Sequence, residues 1–573
     1  MTRGRPARGW LAVGAVLGIA AVFVSITGMV EALHQRWVVA DVLSLGQVLL
    51  LLALVGAGYL AALRTPAGPV VVLAGGGVAG GVAGMCLAGF VVVGAAVNLR
   101  AMFVNASPTL FELLRMGREV PSAAVWLVLG GAVFGLLGSL AYLLPLGLRR
   151  PLLWGVWSIL LLSLFQDLLQ LVLQAEGLPA RVSEFVFAAQ GLTTAGAVSG
   201  GAAAAVAVAL WRQRAAAVGS RVAALPPAGR FAIRLVLVGV GIAALALLPI
   251  AGGSFIAQVL VIVGLYTLMG LGLNLEVGFA GLLDLGFVAF FAIGAYTVGL
   301  LTSVGELGIA QWSFWTAVPV AVLVSLIAGV ILGIPVLGIR GDYLAIATLG
   351  FGEIVRLLVL SDALRPWLGG SQGLLAIPKP TIGGFELVGP EHLFYLTLVS
   401  SAVVAYVAWR LRDSRLGRAW MAIREDEDVA QALGINLVSV KLLAYGLGAA
   451  FAGVGGAIFA VMVGSVFPHS FQLLISINVL ALIIVGGIGS IPGVIVGAAA
   501  LVGLPELLRE FGEFRFLVYG ALLVAMMLLR PEGLWPAAQQ QRELHEVGEE
   551  PQVVAAEPAP EPALAAAETQ VGG

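Results

Sequence analysis

Apolar runs of membrane-spanning length recur along nearly the whole chain, and they restrict it to one kind of fold. Hydrocarbon offers no water to peptide N–H and C=O groups, so a lone spanning segment must satisfy its own backbone. A helix of about 20 mostly apolar residues does this. Of 573 residues 60% are hydrophobic and only 11% charged, more apolar surface than a soluble core absorbs. The expected fold is an all-α integral membrane protein, a polytopic helical bundle with membrane lipid as its first partner. The 77 glycines suit such a bundle, because small residues let membrane helices approach closely. A net charge of −1 points to no nucleic acid. The single cysteine, Cys86, lies in an apolar run and forms neither an internal disulfide nor a cysteine metal cluster.

Arg3, Arg5 and Arg8 precede an apolar run from Trp10 to Val30. That run is longer than a signal peptide's and has no small-residue cleavage site before Glu31, so it reads as a first span. About six apolar segments occupy residues 1–211. A polar stretch at 212–230, carrying Pro226 and Pro227, reads as a cytoplasmic linker, and about ten segments follow in 231–536, roughly sixteen spans in all. Residues 537–573, rich in Ala, Glu, Pro and Gln, are expected to form a disordered cytoplasmic tail. Cytoplasmic loops are enriched in Lys and Arg. With the N-terminus inside, twenty of the 30 basic residues fall inside, nine outside, and Arg356 within a span. Both termini are therefore expected in the cytoplasm.

The most informative stretch is a charged loop, LRDSRLGRAWMAIREDEDVAQALGINLVSVK at 411–441, between two apolar spans. Trp420 and Ile423 recur at helical spacing, as do Ala430 and Leu433, and Gly434 is a plausible helix stop. A second helix is expected after Asn436, a good N-cap. The reading is a short helix on the membrane surface whose apolar Trp420 and Ile423 are available to a partner's groove. Periodicity alone favours an ordinary solvated loop.

Ionisable residues at membrane depth are costly and mark candidate sites. Glu276 and Asp284 bracket the GFAG at 278–281, whose glycines suggest an interrupted or closely packed helix. With Gly278, Gly281 and Gly294 they form a candidate translocation path, although packing or capping explains the two acids equally well. Glu353 and Arg356, three apart on one helix, suit a local ion pair. Asp342 suits a helix cap. The polar stripe Gln166, Asp167 and Gln170 suits either helix joining or a cavity. GGIGSIPG at 486–493 lies between apolar runs and reads as a tight turn. The only lysines, Lys379 and Lys441, follow no glycine-rich turn, so no ATP-binding P-loop is present. His34, His392, His469 and His545 fall in expected loops or the tail, which leaves no histidine pair for metal or haem.

Several ordered stretches across about residues 255–536 resemble the LivM-like permease subunits of branched-chain amino acid ABC importers. They are GLGLNLEVGFAGLLDLGFVAFFAIGAYT (270–297), GIRGDYLAIATLGFGEIVRLL (338–358), LGGSQGL (368–374), the charged loop, IIVGGIGSIPGVIVGA (483–498) and LVYGALLVAMMLLRPEGL (517–534). The resemblance implies an importer-permease fold in a prokaryotic cell membrane, a LivH-like partner permease, two ATPase subunits carrying ATP and Mg, and an extracytoplasmic solute-binding protein. No cofactor is expected on this chain. The resemblance also implies that 417–434 holds the element that docks on an ATPase, with Gly417, Arg418, Ala419, Trp420, Ile423, Arg424, Glu425, Leu433 and Gly434 as its residues. Phe287 stands where the family often has histidine, so a polar role is absent there. The first 230 residues resemble no family in particular and read either as an added membrane domain or as a diverged counterpart of the partner permease, the latter disfavoured because the 270–297 stretch has no repeat there. The function expected is import of branched-chain amino acids or similar solutes by alternating access. The rival readings are an ATP-independent channel or secondary carrier, or a membrane enzyme using the N-terminal block.

Overall fold

The computed structural model describes residues 6–65, 68–175, 180–224 and 226–537. The tail expected to be disordered lies outside these apart from residue 537. The chain divides into two compact units, residues 1–256 and 257–573.

In the first unit the principal helices are α1 (Pro6–Ile26), α2 (Leu45–Leu63), α3 (Pro69–Ala96), α4 (Val120–Leu143), α5 (Leu146–Leu164) and α6 (Thr194–Ala223). Ser44 starts α2 with a capping box, its hydroxyl accepting from the Gln47 N–H while the Gln47 side chain accepts from the Ser44 N–H. The α2, α3 and α4 backbones touch where glycines face one another. A methyl at Gly80 would overlap the Gly131 carbonyl, one at Gly135 the Gly76 carbonyl, and one at Gly58 the Gly135 carbonyl. Lipid tails are as apolar as leucine, so such close van der Waals contact, rather than exclusion of water, holds membrane helices together. Leu54, Ala57, Ala79, Ala83, Leu87 and Leu127 complete this core.

The linker expected at 212–230 is helical over most of its described length: α6 runs to Ala223 and α7 covers Pro227–Leu273. Within α7 the backbone leaves helical geometry at Gly253, whose φ of 67° is open to glycine. This break falls between the segments expected near 231–250 and 254–275.

The second unit contains α8 (Val288–Thr302), α9 (Phe314–Val336), α10 (Asp342–Leu360), α11 (Pro390–Arg412), α12 (Arg415–Glu425), α13 (Glu427–Ala432), α14 (Leu437–Val463), α15 (Leu473–Gly486), α16 (Ile491–Ala498) and α17 (Phe514–Leu529). The central helix is α14. Small residues along it admit α8 and α9: a methyl at Gly456 would overlap the Phe291 carbonyl, and methyls at Gly294 and Gly329 would each stand 2.5 Å from the carbonyls of Gly453 and Tyr445. Opposite faces stay apolar and exposed, as with Leu323, Ile327, Ile331 and Ile334 on α9, the kind of surface that suits a lipid environment.

Among the described residues eleven helices are long and apolar enough to cross a membrane, against the sixteen expected. Part of the difference lies in short apolar helices, α8, Ile491–Leu507 and α17, and in the 41-residue stretch Gly239–Phe279, which had read as two spans. The protein is a multi-pass helical membrane protein.

The glycine contacts can be tested by substitution. Gly80→Val should lower the stability of the detergent-solubilised chain by about 1–3 kcal/mol through overpacking. Gly130→Ala, where nothing lies within 4 Å, should be neutral or stabilising, with unfolding temperature as the measurement.

Candidate functional site

A helix that stops inside the bilayer leaves peptide groups in need of partners. After Leu273 the backbone widens into a π-turn, Asn274–Phe279, and leaves helical geometry until Val288. Gly281, at φ 72°, makes the turn. The freed groups are met from three directions, and a side chain of the π-turn reaches a fourth element. The Gly278 carbonyl accepts from Arg424 Nη1 of α12 at 2.6 Å. The Leu285 N–H donates to Thr348 Oγ1 of α10 at 3.0 Å, and the Val288 N–H to Ser476 Oγ of α15 at 2.9 Å. Asn274 Oδ1 accepts from the Gly489 N–H at 2.8 Å, in the turn between α15 and α16.

Glycine is required where Arg424 enters. A methyl at Gly281 would stand 3.0 Å from Arg424 Cγ, and one at Gly278 would overlap Asn274 Oδ1. Gly278 and Gly281 are therefore seats for a charged side chain from the 411–441 loop. Gly294 lies at the α8–α14 crossing, against Gly453. Glu276 and Asp284 are both fully buried. Asp284 Oδ1 accepts from the Gly286 N–H at 2.6 Å, while both Glu276 oxygens and Asp284 Oδ2 have no hydrogen-bond partner. Phe287 is fully buried edge-on to Phe290.

The charged loop folds into two short helices. Ser414 caps α12 by accepting from the Gly417 N–H at 3.2 Å. A methyl at Gly417 would overlap the carbonyls of Leu411 and Arg412, so only glycine lets α12 fold back under the end of α11. Asp426 caps α13, accepting from Asp428 and Val429 N–H groups at 2.9 Å. Gly434, at φ 88°, ends α13 in the left-handed conformation, and Asn436 caps α14.

The placement of Trp420 and Ile423 corrects the sequence reading. They are not available to a partner's groove: Trp420 is 0% exposed and Ile423 2%, and Trp420 Nε1 donates to the Val440 carbonyl at 2.8 Å. They glue α12 to the start of α14. The face turned outward carries Arg415, Arg418, Glu425, Asp428, Val429, Gln431, Ala432 and Leu433, with Val429 at 55% and Leu433 at 77% exposure. Ala419 is half-buried, and Arg418 is tied back by its Nη1 donating to the Asp413 carbonyl at 3.0 Å.

A charge network missed in the sequence anchors α13. Glu427 Oε1 lies 2.7 Å from Nζ of Lys441, and Oε2 lies 3.1 Å from Nε of Arg340. Lys441 is buried, and Glu427 partners its charge. Arg340 also lies 2.9 Å from Asp428, and its guanidinium holds that carboxyl below the usual carboxylate range. These partners are 87, 88 and 14 positions apart, spacings at which no sequence periodicity operates.

Elsewhere, Glu353 and Arg356 form the local pair expected of them. Asp342 does not cap α10: the N-cap is Gly341 and no side-chain cap bond forms. Gln166 joins segments, donating to the Ala188 carbonyl and accepting from the Gly191 N–H, while Asp167 pairs with Arg36 at 3.2 Å. Among the described residues no group of three His, Cys, Asp or Glu side chains is placed to hold a metal ion.

Residues 255–529 match a protein-family model described as the permease component of branched-chain amino acid transport systems. The high-affinity branched-chain amino acid transport system permease protein LivM of Salmonella typhimurium is 44% identical over 303 residues, covering 49% of this chain and 70% of that protein. LivM of Escherichia coli is 43% identical with the same coverage. The permease protein LivH of Salmonella typhimurium is 25% identical over 286 residues, 47% of this chain and 90% of that protein. No solved structure matches the chain. With its broken helix, its braced surface loop and these relatives, the chain belongs to the branched-chain amino acid transport permease family and is a permease subunit of an ATP-binding cassette importer, not an enzyme.

Proposed function

We propose that this chain passes branched-chain amino acids, or small solutes like them, across a prokaryotic cell membrane by alternating access, driven by two ATPase subunits that bind ATP and Mg. The observation that carries this reading is the brace from Arg424 to the Gly278 carbonyl. It ties a helix of the charged loop directly to the broken helix of the bundle, so a push on α12 and α13 is delivered to backbone inside the membrane. The work comes from differences in partner binding between two states, not from chemistry on this chain.

The docking surface in this reading is α13 and not the buried face of α12. Val429, Ala432 and Leu433 share one helical face and are exposed together, an apolar knob rimmed by Asp428, Gln431 and the arginines of α12. Glu427, held by Lys441 and Arg340, makes the knob rigid against α14. For this surface to meet an ATPase the 411–441 loop must face the cell interior, which agrees with the basic-residue count and puts both termini there. The similarity to both LivM and LivH relatives supports a second permease of the LivH kind, and an extracytoplasmic solute-binding protein supplies the ligand. The first 211 residues are taken as an added membrane domain. A span count above eleven follows if the short apolar helices cross as well.

Three measurements test this. In the reconstituted assembly, Val429→Asp with Leu433→Asp should abolish coupling of ATP hydrolysis to uptake and loosen copurification of the nucleotide-binding subunits, while unfolding of the isolated chain shifts by no more than about 0.5 kcal/mol. Retained coupling would defeat the assignment. Trp420→Ala should instead destabilise the chain itself by about 3–5 kcal/mol, as a buried residue does. Because the Asp428 carboxyl is depressed, its contribution is present above the unfolded value and lost as pH falls through the folded one. Proteolytic cutting at 426–434 should therefore rise below about pH 4, and Asp428→Asn should show the faster cutting already at neutral pH.

A further inference from the structure

Glu276 and Asp284 stand on either side of the helix break, 0% exposed, with three of their four carboxyl oxygens lacking any donor. The two groups lie within hydrogen-bonding reach of each other, acceptor against acceptor. Tyr445 of α14, 1% exposed, has a hydroxyl that is also unpartnered, and the charges of both acids reach it. Two carboxylates this close and this dry cannot both be ionised without a counter-charge. None is supplied: neither acid forms an ion pair with a described Lys or Arg, and Arg424 of α12 spends its Nη1 on the Gly278 carbonyl.

We propose that Glu276 and Asp284 form a single-proton site, with the proton on Glu276 donated to Asp284. One proton turns the repulsive contact into an O–H···O⁻ bond, the short and strong kind. Asp284 is the ionised partner because its Oδ1 already accepts from the Gly286 N–H, whereas neither Glu276 oxygen has a donor. The groups facing the pair are few: Tyr445 from α14, Thr348 from α10, Arg424 from α12, and the uncharged backbone of the 486–490 turn beyond Asn274. A proton fits this place and an alkali cation does not. The Glu276 carboxyl rests on the α14 backbone, where a methyl at Gly448 would overlap Oε1, whereas a metal ion needs a cavity ringed by several oxygens. The bond closes residues 277–283 into a loop, the same loop that receives Arg424. Proton occupancy thereby holds the seat of the brace in shape. The site stands on this geometry alone and does not depend on which solute crosses.

Infrared difference spectra of the full chain in lipid nanodiscs at pH 8 test the assignment. The wild-type protein should show a carbonyl band of a protonated carboxylic acid that shifts in D2O. Glu276→Gln should remove it, and Asp284→Asn should move its frequency without removing it. The Gln variant supplies an N–H donor to Asp284 and should keep the wild-type unfolding temperature, whereas Glu276→Ala should lower it. Absence of the band, a band indifferent to both substitutions, or a Gln variant that fails to fold overturns the proposal. Stabilisation of the wild type but not of Glu276→Gln by sodium or potassium over N-methylglucamine also overturns it, in favour of a metal ion.

Discussion

The bond between the Arg424 guanidinium and the Gly278 carbonyl is the contact on which the second unit's organisation turns. A helix interrupted at membrane depth exposes carbonyls and N–H groups that each cost several kcal/mol if left unpaired, on the order of a burial penalty. The chain meets this by bringing Arg424, Thr348 and Ser476 to one short segment from three different elements. The break is thereby a junction. Any movement of α12 must either carry the Gly278 carbonyl with it or leave that carbonyl bare.

Glycine makes the junction possible in two distinct ways. At Gly281 and Gly434 the backbone takes a positive φ that other residues adopt only under strain. At Gly278, Gly417 and Gly448 the conformation is ordinary and the space is not: the Asn274 amide, two α11 carbonyls and the Glu276 carboxyl occupy the places that a side chain would fill. The same close approach runs along α14 and, in the first unit, along α3 and α4. Packing without side chains between backbones gives the bundle its density, since the hydrophobic effect cannot draw helices together within a lipid phase.

The loop shows how an amphipathic pattern misleads about direction. Trp420 and Ile423 mark one face of α12, and periodicity correctly puts them on a helix. Whether an apolar face turns to its own chain or to a partner is outside what periodicity encodes. Here Val440 takes the indole N–H and the start of α14 covers the ring, so the face left for a partner belongs to α13, where Val429 and Leu433 lie beyond a single helical turn of charge. The Arg340, Glu427 and Lys441 network was invisible for a related reason: buried pairing depends on which distant elements meet.

The amino-acid sequence by itself determined the helical membrane class, the cap at Asn436, the stop at Gly434, the Glu353–Arg356 pair and the family, because each rests on residues close together or on motifs kept in order. Apolar length alone could not say how many segments cross, since a kinked 41-residue stretch and three short helices escape any window of fixed size. Tertiary structure alone decided that Gly294 packs, that Glu276 faces Asp284, and that Arg424 reaches across 146 positions to a carbonyl. Those outcomes depend on how separate helices cross, and crossing is set by the summed fit of many small surfaces rather than by any one stretch of chain.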